Sequence, residues 1–168
     1  MRTSRPERIR AFDYLGRYRY FLTFCTQGRR RHFAHADVVT LVRTQTRRAA
    51  TEEGFAISAY CYMPDHVHLL VTGLEEQSDG RRFIKAAKQY SGYVFARSYG
   101  DRLWQRYGYE RVLRSDEATL AVARYIVNNP LRANLVKEVR QYPFLGSDVY
   151  GLDAVLEAVG AWCPSRPA

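Results

Sequence analysis

The sequence predicts an α+β domain in which helices cover one face of an antiparallel sheet. Three observations predict it. Apolar residues alternate with a period of two in some segments and recur with a helical period in others. Those segments follow one another as strand, helix, strand, strand, helix, strand, an order that suits a two-layer α+β sandwich. The 168 residues are 46% hydrophobic and 14% aromatic, enough for one real core.

Residues 1–16 carry Arg2, Arg5, Arg8 and Arg10 with little apolar periodicity and read as a basic N-terminal arm. From Arg17 to Thr26 the chain alternates, with Tyr18, Tyr20, Leu22 and Phe24 on one face, as in a half-buried strand. A turn at Gly28 with Arg29, Arg30 and Arg31 follows. Asp37 to Glu53 is helical by pattern, with Val38, Leu41, Val42 and Ala49 on one stripe and Gly54 closing it. Phe55 to Tyr62 and His66 to Thr72 are strands joined through Met63-Pro64-Asp65, since proline cannot join a ladder. Arg81 to Arg97 forms the next helix: Phe83, Ala87, Tyr90 and Val94 are its apolar stripe, and Arg82, Lys85, Lys88 and Gln89 its basic flank.

Two short strands are expected near Leu103 to Gln105 and Glu110 to Arg114. Ser115 is a good N-cap, and Asp116 and Glu117 complement the dipole of the helix behind it. That helix is expected to dock through Leu120, Ala123 and Val127 and to stop at Asn129, because Pro130 disfavours helical geometry in the residue before it. Residues 17–136 would then be the main domain. Residues 137–168 form a C-terminal tail with a short helix from Leu152 to Ala158.

Charge narrows the function. The net charge is +9 and the pI about 9.7, with arginine far outnumbering lysine. The planar guanidinium fork suits bidentate phosphate contacts and stacking on bases, so a nucleic-acid partner is favoured over a merely basic composition. No apolar run is long enough to span a bilayer, and no membrane association is expected. The charged N-terminus has no signal-peptide core. Cys25, Cys61 and Cys163 are odd in number and far apart, which reads as reduced thiols of a cytoplasmic protein.

Two constellations can carry chemistry. His66 and His68 are two apart on a strand, so their imidazoles share a face and make half of a divalent-metal site. The competing reading is an ordinary pair of strand histidines, since closed sites need three or four ligands. Tyr125 and Asn129 are four apart on one helix and present a phenol and an amide side by side. Among 13 tyrosines, any single one is more often a packing residue than a nucleophile. Cys61 with the two histidines matches no zinc-finger spacing, and no phosphate-cradling glycine loop or Ser-His-Asp pattern is present.

The string Tyr62-Met63-Pro64-Asp65-His66-Val67-His68-Leu69-Leu70 resembles the signature strand of the HUH transposases: histidine, hydrophobe, histidine. The string from Tyr125 to Val136, YIVNNPLRANLV, resembles the catalytic helix of one branch, the REP-associated tyrosine transposases of bacterial insertion sequences. Leu103-Trp104-Gln105 and the stretch from Glu110 to Arg114 resemble that branch's strand region. The likeness covers roughly residues 17 to 148, and the two strings in that order are specific.

The resemblance implies a ferredoxin-like sheet, the HUH endonuclease fold, with the histidines on a central strand and the tyrosine on a helix beside it. It implies that His66, His68 and Asn129 bind Mg²⁺ or Mn²⁺. Tyr125 would attack single-stranded DNA at a hairpin site, leaving a 5′-phosphotyrosine link and a free 3′-hydroxyl that can rejoin strands. Arg8, Arg10, Arg29, Arg30, Arg31, Arg82, Lys85 and Lys88 are the candidates for DNA-backbone contacts. Monomer and homodimer both remain open. The competing class is a non-catalytic nucleic-acid-binding ferredoxin-like module, which would need neither the histidine pair nor the Tyr125–Asn129 spacing.

Overall fold

The computed structural model describes residues 12–160. Five strands, β1 (Arg19–Cys25), β2 (Phe55–Met63), β3 (His66–Gly73), β4 (Tyr109–Leu113) and β5 (Leu145–Gly146), form one sheet in the order β4-β1-β3-β2-β5. Every neighbouring pair is antiparallel. The helices are α1 (Ala36–Glu53), α2 (Gly80–Tyr99), α3 (Asp116–Arg132) and α4 (Leu152–Ala158). The α+β class and the strand–helix order of the central elements agree with expectation. No helix among the described residues is long and apolar enough to cross a membrane.

Alternation in the central strands builds the first core. Tyr20, Leu22 and Phe24 of β1 lie opposite Val71, Leu69 and Val67 of β3, and all six are buried on the face covered by α1 and α2. Phe33, Phe55, Phe83, Phe95 and Trp104 fill the space between. Tyr18, expected on the same face, is largely exposed because it lies before the strand begins. Gly54 ends α1 in the left-handed region that a side chain would disfavour. Asp79 caps α2 by accepting from the Arg81 and Arg82 amides.

The helices do not all gather on that face. β2 is buried at every residue from Ala59 to Met63, and a strand buried on consecutive residues needs cover on both sides. The second cover is α3, which lays Val122, Ala123, Ile126 and Val127 on Ala59, Cys61, Met63 and Leu70, with α4 beside it. Leu120, expected in the docking stripe, is 45% exposed; the seam runs instead through Val122 and Ile126.

Four further expectations are corrected. α3 does not stop at Asn129 but runs through a buried Pro130 to Arg132. The local preference against a helix before proline is overridden by packing of the last turn, and Leu135 N–H donates back to the Pro130 carbonyl. Leu103 to Gln105 forms no strand, only a single bridge between Trp104 and Thr26. The tail is part of the fold: Val139, Tyr142, Leu145, Val155 and Leu156 complete the second core, and Tyr142 donates its hydroxyl to the Tyr62 carbonyl. At the other end Tyr14, placed by sequence in the basic arm, is buried against Tyr20 and donates to Glu110.

Candidate active site

The period-two geometry of β3 sends Val67, Leu69 and Val71 into the aromatic core and leaves His66, His68 and Leu70 on the α3 side. The two histidines are therefore brought together beneath α3. Their Nε2 atoms are 3.2 Å apart. Each Nδ1 is held from outside the pair. His66 Nδ1 lies 2.7 Å from Asp65 Oδ1, and His68 Nδ1 lies 2.8 Å from the Thr23 hydroxyl across the β1–β3 ladder. Asp65 is in turn fixed by Arg29 Nε at 2.8 Å, while another Arg29 nitrogen reaches the Cys25 sulfur.

Electrostatics keep His68 neutral. His68 is only 5% exposed. Burial, then the neighbouring His66 and Arg29, push its pKa down to about 3, so the ring is uncharged at neutral pH. Burial by itself would raise the Asp65 carboxyl, but the hydrogen bond from His66 and the charge of Arg29 hold it below its ordinary value. An ionised carboxylate only accepts, so His66 Nδ1 is the donor of this bond. The Thr23 hydroxyl can donate or accept, so His68 can present either an N–H or a lone pair at Nε2. Two converging imidazole nitrogens at this spacing suit one hydrogen bond or one shared cation. Among the described residues no group of three or more His, Cys, Asp or Glu side chains could hold a metal, so any third donor is of another kind.

Tyr125 arrives from α3. Its position on the helix is one residue before the buried Ile126, which turns the ring to the rim, where it is 38% exposed. Its ring centroid is 5.4 Å from that of His68 and 5.8 Å from that of Phe21, both edge-on. The Arg132 guanidinium lies over the Tyr125 ring at 4.9 Å from its centroid, one face of the phenol thus meeting a cation. One turn on, Asn129 has a buried amide nitrogen with no hydrogen-bond partner, and the carbonyl oxygen of the neighbouring Asn128 side chain is in the same state. A buried amide left unpaired costs stability, which is the signature of a group kept for another purpose. A cation would be met by the Asn129 side-chain oxygen and not by this N–H; two imidazole nitrogens with one amide oxygen are a donor set that fits a divalent cation.

The predicted DNA contacts do not form one patch. Arg8 and Arg10 lie outside the described residues. Arg29 is committed to Asp65, Arg30 pairs with Asp101, and Arg31 is exposed beside them. Arg82 pairs with Glu53 at 3.1 Å, on the α1 side of α2. Lys85 and Lys88 instead line a groove of 1090 Å³ between α2 and the segment from Gly100 to Glu110. Lys88 donates to the carbonyls of Gln105 and Arg106, and its burial, with Arg102 nearby, lowers its pKa to about 8.

Sequence reasoning missed Thr23, Phe21 and Arg132. Arg132 lies seven residues after Tyr125, two helical turns along the same face, so that partner was legible. Thr23 and Phe21 become neighbours of His68 only through the β1–β3 register, which no local pattern reveals.

Comparison with known proteins shows the family and the fold. The family model described as IS200-like transposase matches residues 15–129. A REP-associated tyrosine transposase of Haemophilus influenzae is 26% identical over 139 residues, covering 74% of this chain and 77% of its own. A REP-associated tyrosine transposase solved bound to a REP hairpin shares the fold, with a TM-score of 0.68 and 23% identity over 79% of this chain and 78% of that one. A transposase crystal structure from Deinococcus radiodurans gives a TM-score of 0.51 at 26% identity, over 77% of this chain and 97% of that one. With the family match spanning strands β1 to β4, the histidine pair and α3 through Asn129, this chain belongs to the IS200-like transposases, a family of DNA-cleaving enzymes.

Proposed function

We propose that this transposase cuts and rejoins single-stranded DNA at hairpin sites, with Tyr125 as nucleophile and His66, His68 and Asn129 as ligands of Mg²⁺ or Mn²⁺. The observation that carries the reading is the edge contact of the Tyr125 ring with His68, whose Nε2 converges on that of His66. A tyrosine set beside a potential cation site is what attack on a phosphodiester needs. A bound divalent ion would supply neutralisation of charge developing on the phosphate oxygens.

The chain's own residues do the rest. Asp65 and Thr23 orient the two imidazoles, as outer hydrogen bonds do at metal sites. Arg132 stacks over the ring and holds it at the rim, where the hydroxyl proton can leave to solvent. The Tyr125 oxygen bonds to phosphorus while the bond from phosphorus to the 3′ oxygen breaks. The departing 3′ oxygen takes up a proton. One phosphodiester is exchanged for another, so no external energy source is required, in keeping with the missing phosphate-binding loop. The free 3′-hydroxyl can later attack the phosphotyrosine and restore a DNA link.

Hairpin DNA as substrate is supported by the similar protein solved with a REP hairpin. The test is an SDS gel of protein mixed with Mn²⁺ and end-labelled single-stranded DNA carrying the palindromic repeats flanking its own gene. Label is expected at protein mass for wild type and nowhere for Tyr125→Phe. If no adduct forms, but DNA still shifts on a native gel without metal, the chain is a binding module and the histidines are structural.

A further inference from the structure

The groove between α2 and residues 100–110 is larger than the roughly 300–1,000 Å³ of ordinary small-molecule pockets. Its walls combine two kinds of group. Lys85 and Lys88 of α2 face it together with Arg102 and Arg106, whereas its two acids are already engaged: Asp101 with Arg30 and Glu110 with the Tyr14 hydroxyl. Tyr93, Tyr107 and Tyr109 line it and are 63%, 49% and 47% exposed. Positive charge tracks a phosphate backbone, and exposed rings stack on bases that are not already stacked on their neighbours. A protein surface that keeps three tyrosines in water along a basic groove matches an unpaired nucleic-acid strand, since the bases of a duplex hide their faces.

The groove is also connected to the chemistry. Tyr109 pairs with Thr23 in the β1–β4 register, so its side chain lies on the histidine face. Its ring meets Phe21, whose own ring meets both His68 and Tyr125. An aromatic path therefore runs from the groove, around the β4 edge of the sheet, to the candidate nucleophile.

We propose that this groove binds the unpaired DNA segment adjoining the cleavage site, with Tyr93 and Tyr107 as stacking platforms, Lys85 and Arg106 as phosphate contacts, and Tyr109 at the turn into the active site. The inference rests on the transposase reading for the identity of the strand. It adds a binding surface remote from the histidine pair, and it assigns the charge of α2 to unpaired strand, not to the hairpin stem.

The test uses fluorescence anisotropy with two labelled probes: an eight-residue oligothymidine, and a blunt hairpin with no overhang. The Tyr93→Ala/Tyr107→Ala variant is expected to lose roughly tenfold or more in affinity for the oligothymidine, given what stacking contributes per base. Its affinity for the blunt hairpin should stay within about twofold of wild type, taking the stem's binding to rest on backbone contacts elsewhere. Tyr93→Phe/Tyr107→Phe should restore the oligothymidine affinity, because the ring and not the hydroxyl does the work. Lys85→Ala/Arg106→Ala should flatten the salt dependence of oligothymidine binding. Unchanged affinity of the alanine variant for oligothymidine overturns the proposal, and so does an equal loss on both probes. The Tyr125 adduct assay is independent: an adduct with unchanged oligothymidine binding sinks the groove and leaves the nucleophile, and the reverse pattern sinks the nucleophile alone.

Discussion

The Thr23 hydroxyl stands 2.8 Å from His68 Nδ1, across the ladder that joins β1 to β3. This bond sets which His68 nitrogen faces His66, so a residue with no place in the sequence motif controls the geometry of the motif. Thr23→Val keeps the shape and removes the oxygen. Loss of an outer partner of this kind is expected to lower Mn²⁺ affinity roughly 10- to 100-fold, measured by electron paramagnetic resonance or calorimetry. The orphaned ring nitrogen should also cost about 1–3 kcal/mol of stability. Wild-type Mn²⁺ affinity in the variant would remove Thr23 from the site.

Acid should find His68. Its folded pKa of about 3 lies below its ordinary value of 6.5, so the unfolded chain takes up the proton first. The stability tied to the neutral ring is thus fully present above pH 6.5 and is lost as pH falls from there towards 3. The slope is on the order of 1 kcal/mol per pH unit. Thermal melts in EDTA between pH 4 and 7 should show wild type losing stability faster than His68→Gln, the gap between them narrowing on acidification. A constant gap would mean that the ring does not titrate as its burial demands.

Asn129 makes the opposite kind of prediction. Its buried amide nitrogen has no partner, so Asn129→Ala should leave stability within about 0.5 kcal/mol of wild type or raise it. Strand cleavage should nevertheless fall, roughly a hundredfold or more, as expected when a group that stabilises charge in the transition state is lost. A large drop in melting temperature would show the amide to be structural.

Gly108 sits where β1 leaves no room. A Cβ there would meet the Thr23 carbonyl oxygen at 2.9 Å and the Phe24 ring at 3.0 Å. Gly108→Ala should cost about 1–3 kcal/mol and weaken Mn²⁺ binding by displacing Thr23. Gly100→Ala, where a Cβ meets nothing within 4 Å, should leave Mn²⁺ binding unchanged. Equal effects of the two would separate Gly108 from the site.

Much of this arrangement is legible in the chain because its periods are local. A two-residue spacing places His66 and His68 on one face, and a four-residue spacing does the same for Tyr125 and Asn129. The cap at Ser115 and the stop at Gly54 follow equally local rules. What escaped is tertiary. Pro130 continues a helix because burial of its turn outweighs a backbone preference. β2 reads simply as a strand, and that Ala59 to Met63 are covered on both sides follows only once α3 docks. Leu145 and Gly146 are too short to announce a strand and exist as one only because they pair with Tyr60 and Cys61. Thr23 and Phe21 owe their roles to register alone.

The alternation along β3 has a consequence for how such proteins diverge. Odd positions from Val67 to Val71 build the aromatic core, while His66 and His68, the proposed metal ligands, lie on the other face of the strand. Descendants can lose the imidazoles without losing their shape, so inactive copies should persist as folded DNA-holding relics. A single inserted codon in the Met63–Asp65 turn would do the reverse damage: it would swing both histidines into the aromatic interior and erase shape and reactivity together.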